Sequence, residues 1–373
     1  MKFLCDRSRL EAALAPILPA IPVKDSPNQA LLSLHIVAEE DRLVLQGSNL
    51  ELSIETRIES VKVEEPGQCL VPARPFYQLL HELPDATVRV EVEGGKLVVP
   101  TSSGHFEIVA GNADDFPELE FDMEGVEVPM PVSLLSQHFH ATEFAAAREA
   151  TRYAMNGILF NGKDGKVTTV ATDGRRLALI ASPLESPDPV TDGSAGWQAL
   201  LPQKSLLATV KALEGLAEDG DLALNISTNA VTFTIPSASI SVRRLAGQFP
   251  DYDNVIPRET ANTVEFERGA FEANLRRTAV TTDDLNPAVR ITFEGSQARF
   301  ESEATGIGSA KTVMDVNLSG PGGSIVFNPH FLADVLRISD AETLRLEFED
   351  SSAPGKFVLA EEFVYIVMPI TGL

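Results

Sequence analysis

The chain has 373 residues, a formal net charge of −24 and the composition of a folded protein. Apolar residues make up 44% of the chain and charged residues 23%, which excludes a largely disordered polypeptide. The excess of acidic residues, taken by itself, argues against binding to nucleic acid or to an anionic membrane surface. A chain of this length fits three domains of ordinary size, each able to bury its own core.

The first residues and the two cysteines predict a cytoplasmic protein. Residues 1–6 lead from a short apolar run directly into charge, without the apolar region of a signal peptide. No stretch approaches the roughly 18 apolar residues of a membrane span. Cys5 and Cys69 are too few for a disulfide framework and have no metal-ligand spacing, so we expect buried thiols in a reducing compartment.

The first predicted elements are a strand at residues 2–5 and an amphipathic helix with apolar residues at helical spacing over residues 10–18. This strand-helix pair recurs twice, with Leu135 and Phe139 and then with Phe271 and Leu275 as its apolar positions. Leu10 and Leu135 are 125 residues apart, and Leu135 and Phe271 are 136 apart. One module of about a third of the chain is therefore repeated.

A second triplicate pattern has nearly the same period. An apolar strand runs through a polar or Pro-containing turn into a helix at residues 70–76, 200–206 and 326–332. Pro72 and Pro202 are 130 residues apart, and Pro202 and Asn328 are 126 apart. Two independent patterns with a shared period predict one architecture used three times.

Strand-like alternation fills the sequence between the helices. It is clearest at residues 87–92, 166–170, 230–235 and 343–348, and turn sequences stand at 93–96, 161–165 and 320–323. We therefore predict an α+β fold of three repeated domains, each with two helices packed on antiparallel sheet, over residues 1–124, 125–255 and 256–373. Residues 182–196 are predicted to form a long polar loop.

Signals for catalysis are missing from the sequence. It contains no phosphate-binding loop, dinucleotide fingerprint, zinc-protease motif or serine-hydrolase elbow. His138 and His140 point away from one another on a helix, so we expect no metal site there. The adjacent pairs Asp114–Asp115 and Asp283–Asp284 are what chance gives in a chain with 54 acidic residues. Nucleotide hydrolysis, dinucleotide redox chemistry and the commonest hydrolase reactions therefore lose their usual signals, and we expect no cofactor.

Positive charge concentrates on the predicted helices. Segments 7–20, 73–83, 131–152, 202–214, 267–282 and 328–339 carry a net charge of +3, whereas the remainder carries −27. If two copies close a ring, twelve helices about 10 Å apart line an opening of about 28 Å, wide enough for a DNA duplex about 20 Å across. A weakly basic lining would hold DNA and let it slide, while the acidic exterior would repel it elsewhere.

Four segments, which follow one another in the same order as in the family, resemble the β subunit of bacterial DNA polymerase III. They are residues 152–160 (RYAMNGILF), 170–178 (VATDGRRLA), 249–252 (FPDY) and 364–369 (VYIVMP). The resemblance spans the whole chain. It implies a head-to-tail homodimeric ring that encircles double-stranded DNA and tethers the polymerase catalytic subunit, without catalysis of its own.

The resemblance also implies binding sites. An apolar pocket would receive short motifs from the polymerase and from other replication and repair proteins, with its wall at Met155, Thr172, Gly174, Arg175, Arg176, Leu177, Pro250, Val255, Asn328, Phe331, Ile366, Val367, Met368, Pro369 and Ile370. The resemblance places Lys24, Arg148, Arg152 and Tyr153 near DNA, and the positive charge of the predicted helices adds Arg74 and Lys204 to the residues expected to meet it. Because the chain has no phosphate-binding loop, an ATP-dependent clamp loader would have to open the ring.

The sequence departs from the family pattern at the rim of these sites. Ala154 replaces an aromatic residue often found beside Tyr153, and Asp253 with Asn254 stand where a basic pair is common. The first change weakens the case for stacking on single-stranded template, and the second alters the pocket rim. Two alternatives to a clamp are an enzyme on a repeated scaffold, which lacks converging titratable residues, and an interaction scaffold that never meets DNA.

Overall fold

A computed structural model describes residues 1–24, 26, 28–101, 104–148, 153–184, 190–191, 194–216 and 220–371. The chain divides into two compact units. The first unit contains residues 1–139 and 185–245, and the second contains residues 140–184 and 246–373. No helix in the described ranges is both long enough and apolar enough to cross a membrane.

The helices and strands recur in the same order three times, with one additional strand in the second series. The first series is β1 (Lys2–Asp6), α1 (Arg7–Leu14), β2 (Ser33–Ala38), β3 (Leu43–Ser48), β4 (Leu52–Ile58), β5 (Lys62–Glu65), β6 (Gly67–Pro72), α2 (Ala73–Glu82), β7 (Thr87–Glu93), β8 (Lys96–Thr101) and β9 (Gly104–Val109). The second series is β10 (Val126–Pro131), α3 (Val132–Thr142), β11 (Gly157–Lys163), β12 (Lys166–Thr172), β13 (Arg176–Pro183), β14 (Val190–Thr191), β15 (Ser194–Ala195), β16 (Trp197–Pro202), α4 (Gln203–Leu216), β17 (Asp221–Ile226), β18 (Ala230–Ile235) and β19 (Ala238–Arg243). The third series is β20 (Asn262–Glu267), α5 (Arg268–Ala279), β21 (Val289–Glu294), β22 (Gln297–Ala304), β23 (Gly308–Asp315), β24 (Asn317–Ser319), β25 (Gly323–Phe327), α6 (Pro329–Ile338), β26 (Thr343–Phe348), β27 (Gly355–Ala360) and β28 (Phe363–Val367).

These elements match the predicted α+β modules. The strand-turn-helix patterns become β6 with α2, β16 with α4, and β25 with α6. The alternating runs become β7, β12, β18 and β26. Residues 185–189 and 192–193 of the predicted polar loop lie outside the described residues. The predicted domain boundaries near 124 and 255 stay predictions, since the compact units divide the chain differently.

The first helix is shorter than its apolar spacing predicts. It ends at Leu14, and residues 15–20 continue as a 3-10 helix that contains Pro16 and Pro19. A proline has no backbone N–H to donate and its ring crowds the preceding turn, so an α-helix is hard to continue through two of them. Ile17 and Ala20 still reach the core, because the 3-10 turn keeps them on the buried side.

Strand pairing in the first unit joins strands from the first and second series. One sheet has the order β5-β1-β7-β8-β9. The other has the order β10-β17-β18-β19-β4-β3-β2-β6, in which β19 pairs antiparallel with β4 and Ile240 lies opposite Ile54. The sheet core is apolar, with Ile54, Phe233 and Ile240 fully buried.

The second unit repeats this arrangement one series later. In one sheet β11, β12, β13, β28, β27, β26, β20 and β24 are neighbours in that order. The strand β28 pairs antiparallel with β13, with Tyr365 opposite Ala178. The other sheet has the order β23-β22-β21-β25. The last strand of one series therefore pairs twice with the fourth strand of the series before it.

Candidate functional site

The turn between β12 and β13 is held by its own side chains. Thr172 Oγ1 donates to the carbonyl oxygen of Arg176 at 2.6 Å and accepts the N–H of Gly174 at 3.1 Å. Asp173 Oδ1 accepts the N–H groups of Arg175 and Arg176 at 2.9 and 3.1 Å. Gly174 has φ +82°, a conformation that glycine adopts without the strain a side chain would add. The turn thus presents Arg175 to solvent and directs Arg176 inward.

Arg176 is buried and fully engaged. Only 8% of this residue is exposed, and its guanidinium contacts Asp173 at 3.1 Å, Asp334 at 2.5 Å and the carbonyl oxygen of Phe144 at 2.7 Å. It also lies over the Phe331 ring, 4.6 Å from the centroid. Two carboxylates and an acceptor oxygen offset the desolvation of this cation. Arg176 therefore holds the pocket wall together, whereas Arg175 is the cation available to a ligand.

The C-terminal segment lies along this turn. The N–H of Met368 donates to the carbonyl oxygen of Arg175 at 2.8 Å, and the N–H of Ile370 donates to the carbonyl oxygen of Val326 at 2.8 Å. These bonds fix the residues after β28 as an edge of the predicted pocket. Met368, 39% exposed, therefore has a fixed backbone and a flexible, accessible side chain.

The predicted apolar pocket residues separate into a surface and a support. Val255 is 40% exposed like Met368, while Met155, Pro250, Pro369 and Ile370 are half-buried. Leu177, Ile366 and Val367 are buried, with at most 3% exposed. All the predicted pocket residues belong to the second unit. A ligand would contact the exposed and half-buried residues, and the buried residues would support them from below.

The start of α6 lies at one side of the predicted pocket. Asn328 Oδ1 accepts the N–H of His330 at 2.9 Å and so caps the helix. Tyr365 donates its hydroxyl to the carbonyl oxygen of Phe331 at 3.0 Å, and burial raises the pKa of this phenol. A cavity of about 390 Å³ adjoins these residues and is lined by Ala146, Ala147, Arg148, Asp173, Arg175, Arg176, His330, Phe331 and Asp334.

The cations predicted to meet DNA differ in how free they are. Lys24, Arg148 and Lys204 are exposed and have no carboxylate partner in the described part of the chain. Arg74 is exposed but donates to the carbonyl oxygen of Ile21 at 3.4 Å. Arg152 lies outside the described residues, and so does the side chain of Tyr153.

Several other helix cations are committed to the fold. Arg7 bonds Glu11 and the carbonyl oxygen of Leu80, and Arg268 bonds the carbonyl oxygens of Leu336 and Ala341. Arg9 donates a hydrogen bond to the carbonyl oxygen of Glu59, and ion pairs join Arg276 to Glu272 and Arg337 to Asp334. The number of cations on the helix segments therefore overstates how many are free to meet phosphate.

No metal site emerges from the residues that the structure describes, where no three His, Cys, Asp or Glu side chains converge. His138 is 1% exposed, and burial lowers the pKa of its imidazole to about 4, while His140 on the same helix is exposed. Cys5 and Cys69 are buried free thiols, and desolvation raises their pKa values to about 11 and about 12.

Sequence reasoning missed the partners of Arg176. Asp173 lies within the recognised 170–178 segment, but Asp334 and Phe144 are 158 and 32 residues away from the arginine along the chain. An aspartate on an amphipathic helix carries no local mark of a buried ion pair. The only available signal was an arginine next to apolar strand residues, which demands a partner somewhere.

Comparisons with known proteins agree along the whole length. Models of the N-terminal, central and C-terminal domains of the DNA polymerase III beta subunit match residues 1–120, 129–251 and 253–371. The chain is 29% identical to the beta sliding clamp of Proteus mirabilis, over 99% of this chain and 100% of that protein. It is 27% identical to the beta sliding clamp of Chlamydia muridarum, over 99% of each chain.

A solved structure has the same fold throughout. The DNA polymerase III subunit beta of Pseudomonas aeruginosa bound to griselimycin covers 100% of both chains, with a TM-score of 0.94 and 25% identity. Three domain models in order, full-length relatives and a full-length structural match all indicate the same group of proteins. The chain belongs to the DNA polymerase III beta subunit family, the sliding clamps of DNA replication.

Proposed function

We propose that two copies of this chain close head to tail into a ring that encircles duplex DNA and tethers a DNA polymerase without catalysis of its own. The observation that carries the proposal is the repeated strand pairing. β19 pairs with β4 and β28 pairs with β13, so the last strand of a series twice completes the sheet of the series before it.

The same pairing pattern leaves one last strand and one fourth strand without such a partner on their outer edges. β9 is the last strand of the first series and forms the edge of its sheet, and β23 is the fourth strand of the third series and also forms an edge. Both edges expose apolar side chains, with Phe106 42% and Val109 73% exposed on β9 and Val313 47% exposed on β23. Exposed, apolar sheet edges invite pairing with another chain.

Ring size favours two copies. Six helices about 10 Å apart around a single closed chain would leave an opening of about 9 Å, whereas twelve leave about 28 Å. Only the second passes a DNA duplex about 20 Å across. Two chains are therefore the smallest closed assembly that can surround DNA.

Within such a ring, the free helix cations would face the duplex. Lys204 and Lys211 on α4 and Arg277 on α5 are exposed and unpaired in the described part of the chain, as are Lys24 and Arg148. Few fixed phosphate contacts favour sequence-independent holding with free sliding. The site of action would be the cytoplasm.

The pocket of the second unit would be the partner site. Met368, Val255 and Met155 supply adaptable apolar surface, and Arg175 supplies a free cation at the rim. We infer that it takes short linear segments of the polymerase catalytic subunit, of an ATP-dependent clamp loader and of other replication and repair proteins. Asp251 and Asp253 are exposed and follow the predicted wall residue Pro250, so they would make that side of the rim acidic and favour segments with a basic residue there.

Topological retention tests the ring. The protein should have about twice the 40.2 kDa mass of one chain in native mass spectrometry. After loading by a clamp loader and ATP, it should stay on nicked circular DNA through a high-salt wash and leave when a restriction enzyme linearises the circle. A monomer, or retention that is the same on circular and linear DNA, would refute the ring.

A further inference from the structure

The first unit contains a polar cavity of about 230 Å³ beside the turn between β3 and β4. Its walls are that turn, residues 117–122 and the strands β18 and β19.

The turn beside this cavity copies the turn of the partner pocket. The N–H of Leu50 donates to Ser48 Oγ at 3.0 Å, as the N–H of Gly174 donates to Thr172 Oγ1 at 3.1 Å. Leu50 has φ +72° and Gly174 has φ +82°. A leucine held in this left-handed conformation is strained, and it projects a side chain that is 58% exposed.

The strand edge beside the turn is copied as well. The N–H of Arg243 donates to the carbonyl oxygen of Glu51 at 2.8 Å, as the N–H of Met368 donates to that of Arg175 at 2.8 Å. Glu51 therefore stands in the place of Arg175, and Arg243 in the place of Met368. The backbone frame is shared, but the charge at two of its positions is changed.

The lining of the cavity is acidic. Glu51, Glu118, Glu120 and Asp122 contribute carboxylates, and Arg243 is the one cation among the lining residues. Across the described residues, none of these four acids takes part in an ion pair. The cavity therefore holds unbalanced negative charge that a basic group would neutralise.

The side chain of Ser241 offers a hydroxyl to this cavity, which is an observation independent of the charge. Ser241 lies on β19 opposite Ser53, is only 8% exposed and lines the cavity. Its hydroxyl has no hydrogen-bond partner among the residues that the structure describes, although Ser53 bonds Ser48 at 2.8 Å. A hydroxyl that lines a cavity on a mostly buried residue and has no protein partner is available to a ligand.

We propose that this cavity is a second docking site, which takes a short peptide segment carrying lysine or arginine. The basic side chain lies among the four carboxylates, an adjacent apolar side chain packs on Leu50, and a donor of the peptide reaches the hydroxyl of Ser241. The proposal goes beyond the ring and the pocket of the second unit, and it does not require either.

A labelled peptide tests the charge requirement. The probe is a fluorescein-labelled octapeptide of alternating lysine and leucine, and its fluorescence anisotropy is measured with the full chain. The triple variant Glu51→Gln, Glu118→Gln, Glu120→Gln should bind the probe at least about tenfold more weakly than the parent. The matched control neutralises three exposed acids elsewhere, Glu93→Gln, Glu259→Gln and Glu342→Gln, and should change the affinity by less than about twofold. Equal losses in the two triple variants would reduce the binding to net charge and overturn the proposal.

A second variant separates binding from stability. Leu50→Gly removes the exposed side chain and also relieves the positive φ, so its melting temperature should equal or exceed that of the parent while the probe binds several-fold more weakly. Undiminished probe binding by Leu50→Gly would contradict the proposed contact. Met368→Glu, in the other pocket, should leave probe affinity unchanged, and a loss there would assign the binding to that pocket instead.

Discussion

At the scale of single residues, Arg176 links the segments that form the predicted partner pocket. Its guanidinium joins the β12–β13 turn, through Asp173, to helix α6, through Asp334. The cation lies over the rings of Phe144 and Phe331, at 5.6 and 4.6 Å from the two ring centroids. The wall of the predicted pocket is therefore joined by a partly buried ion pair between segments that are remote in sequence.

Replacing Asp334 tests this joint. Asp334→Asn keeps the shape but removes one of the two charges that balance Arg176, so the free energy of unfolding should fall by about 1–3 kcal/mol. Because Asp173 and the Phe144 carbonyl oxygen remain, the loss should stay below that of an orphaned buried charge. Urea denaturation measures it.

Asp340→Asn is the control, since Asp340 is an exposed aspartate just after the same helix. Its unfolding free energy should stay within about 0.5 kcal/mol of the parent. If both variants unfold alike, the ion pair with Arg176 contributes nothing to stability.

The buried histidine His138 should make the free energy of unfolding depend on pH. Burial lowers the pKa of this imidazole from 6.5 to about 4, so the unfolded chain binds the proton more readily than the folded one. The neutral, buried His138 therefore contributes to the free energy of unfolding, and this contribution is complete above pH 6.5. It is lost as the pH falls from 6.5 towards 4, and the free energy of unfolding should drop by about 2 kcal/mol between pH 7 and pH 5.

Chemical denaturation at a series of pH values measures the effect of His138→Gln. The variant should have a flatter dependence of unfolding free energy on pH between 6.5 and 5 than the parent. His140→Gln, which changes an exposed histidine of the same helix, should keep the parental slope. An identical slope in all three proteins would show that His138 does not titrate with unfolding.

At the scale of elements, local pattern and long-range pairing contribute differently. The amphipathic helices and alternating strands were predictable because helix and strand periods are written in neighbouring residues. The early end of α1 also has a local signal, because Pro16 and Pro19 oppose the helix that the apolar spacing favours. The pairing of β28 with β13 was not predictable, because no local feature of either strand specifies its neighbour.

The candidate site shows the same division. The segments at 170–178 and 364–369 were recognised as motifs, and the structure places their residues side by side, with Met368 bonded to Arg175. Which of them are accessible could not be read from the sequence, since Leu177 and Met368 are equally apolar but 3% and 39% exposed. Burial depends on what packs from elsewhere in the chain.

The exposed methionine at the pocket edge gives the element-scale prediction. Met368→Glu places a charge on the apolar surface while its backbone bond to Arg175 remains, so binding of a polymerase-derived peptide should weaken by at least about tenfold. Isothermal titration calorimetry measures the affinity. Stability should change little, because the side chain is 39% exposed.

Met123→Glu is the matched control, since Met123 is 51% exposed and lies in the first unit. It should bind the same peptide as tightly as the parent. Unchanged peptide affinity in Met368→Glu would remove this residue from the partner site.

At the scale of the whole molecule, the internal strand pairs predict a register between two protomers. Phe106 is the third residue of β9, as Ile240 is of β19 and Tyr365 is of β28. Ala310 on β23 and Ile54 on β4 occupy equivalent positions. In each series the count starts just before the second helix and crosses three pairs of neighbouring strands. Since Ile54 faces Ile240, Phe106 of one protomer should face Ala310 of the other.

This register places His105 opposite Lys311, both on the outer face of the joined sheet. Directly opposed residues of antiparallel strands have Cα atoms about 4.5–5.5 Å apart, within disulfide range, whereas diagonal neighbours are about 7–8 Å apart. The double variant His105→Cys, Lys311→Cys should therefore form a covalent dimer under mild oxidation, seen on a non-reducing gel. The displaced pair His105→Cys, Val313→Cys lies on the same face two residues along and should crosslink far less. The native thiols of Cys5 and Cys69 are buried and should stay out of the reaction. If the displaced pair crosslinks better, the strands meet in another register; if neither does, β9 and β23 do not form the joint, and the ring must close through a different surface.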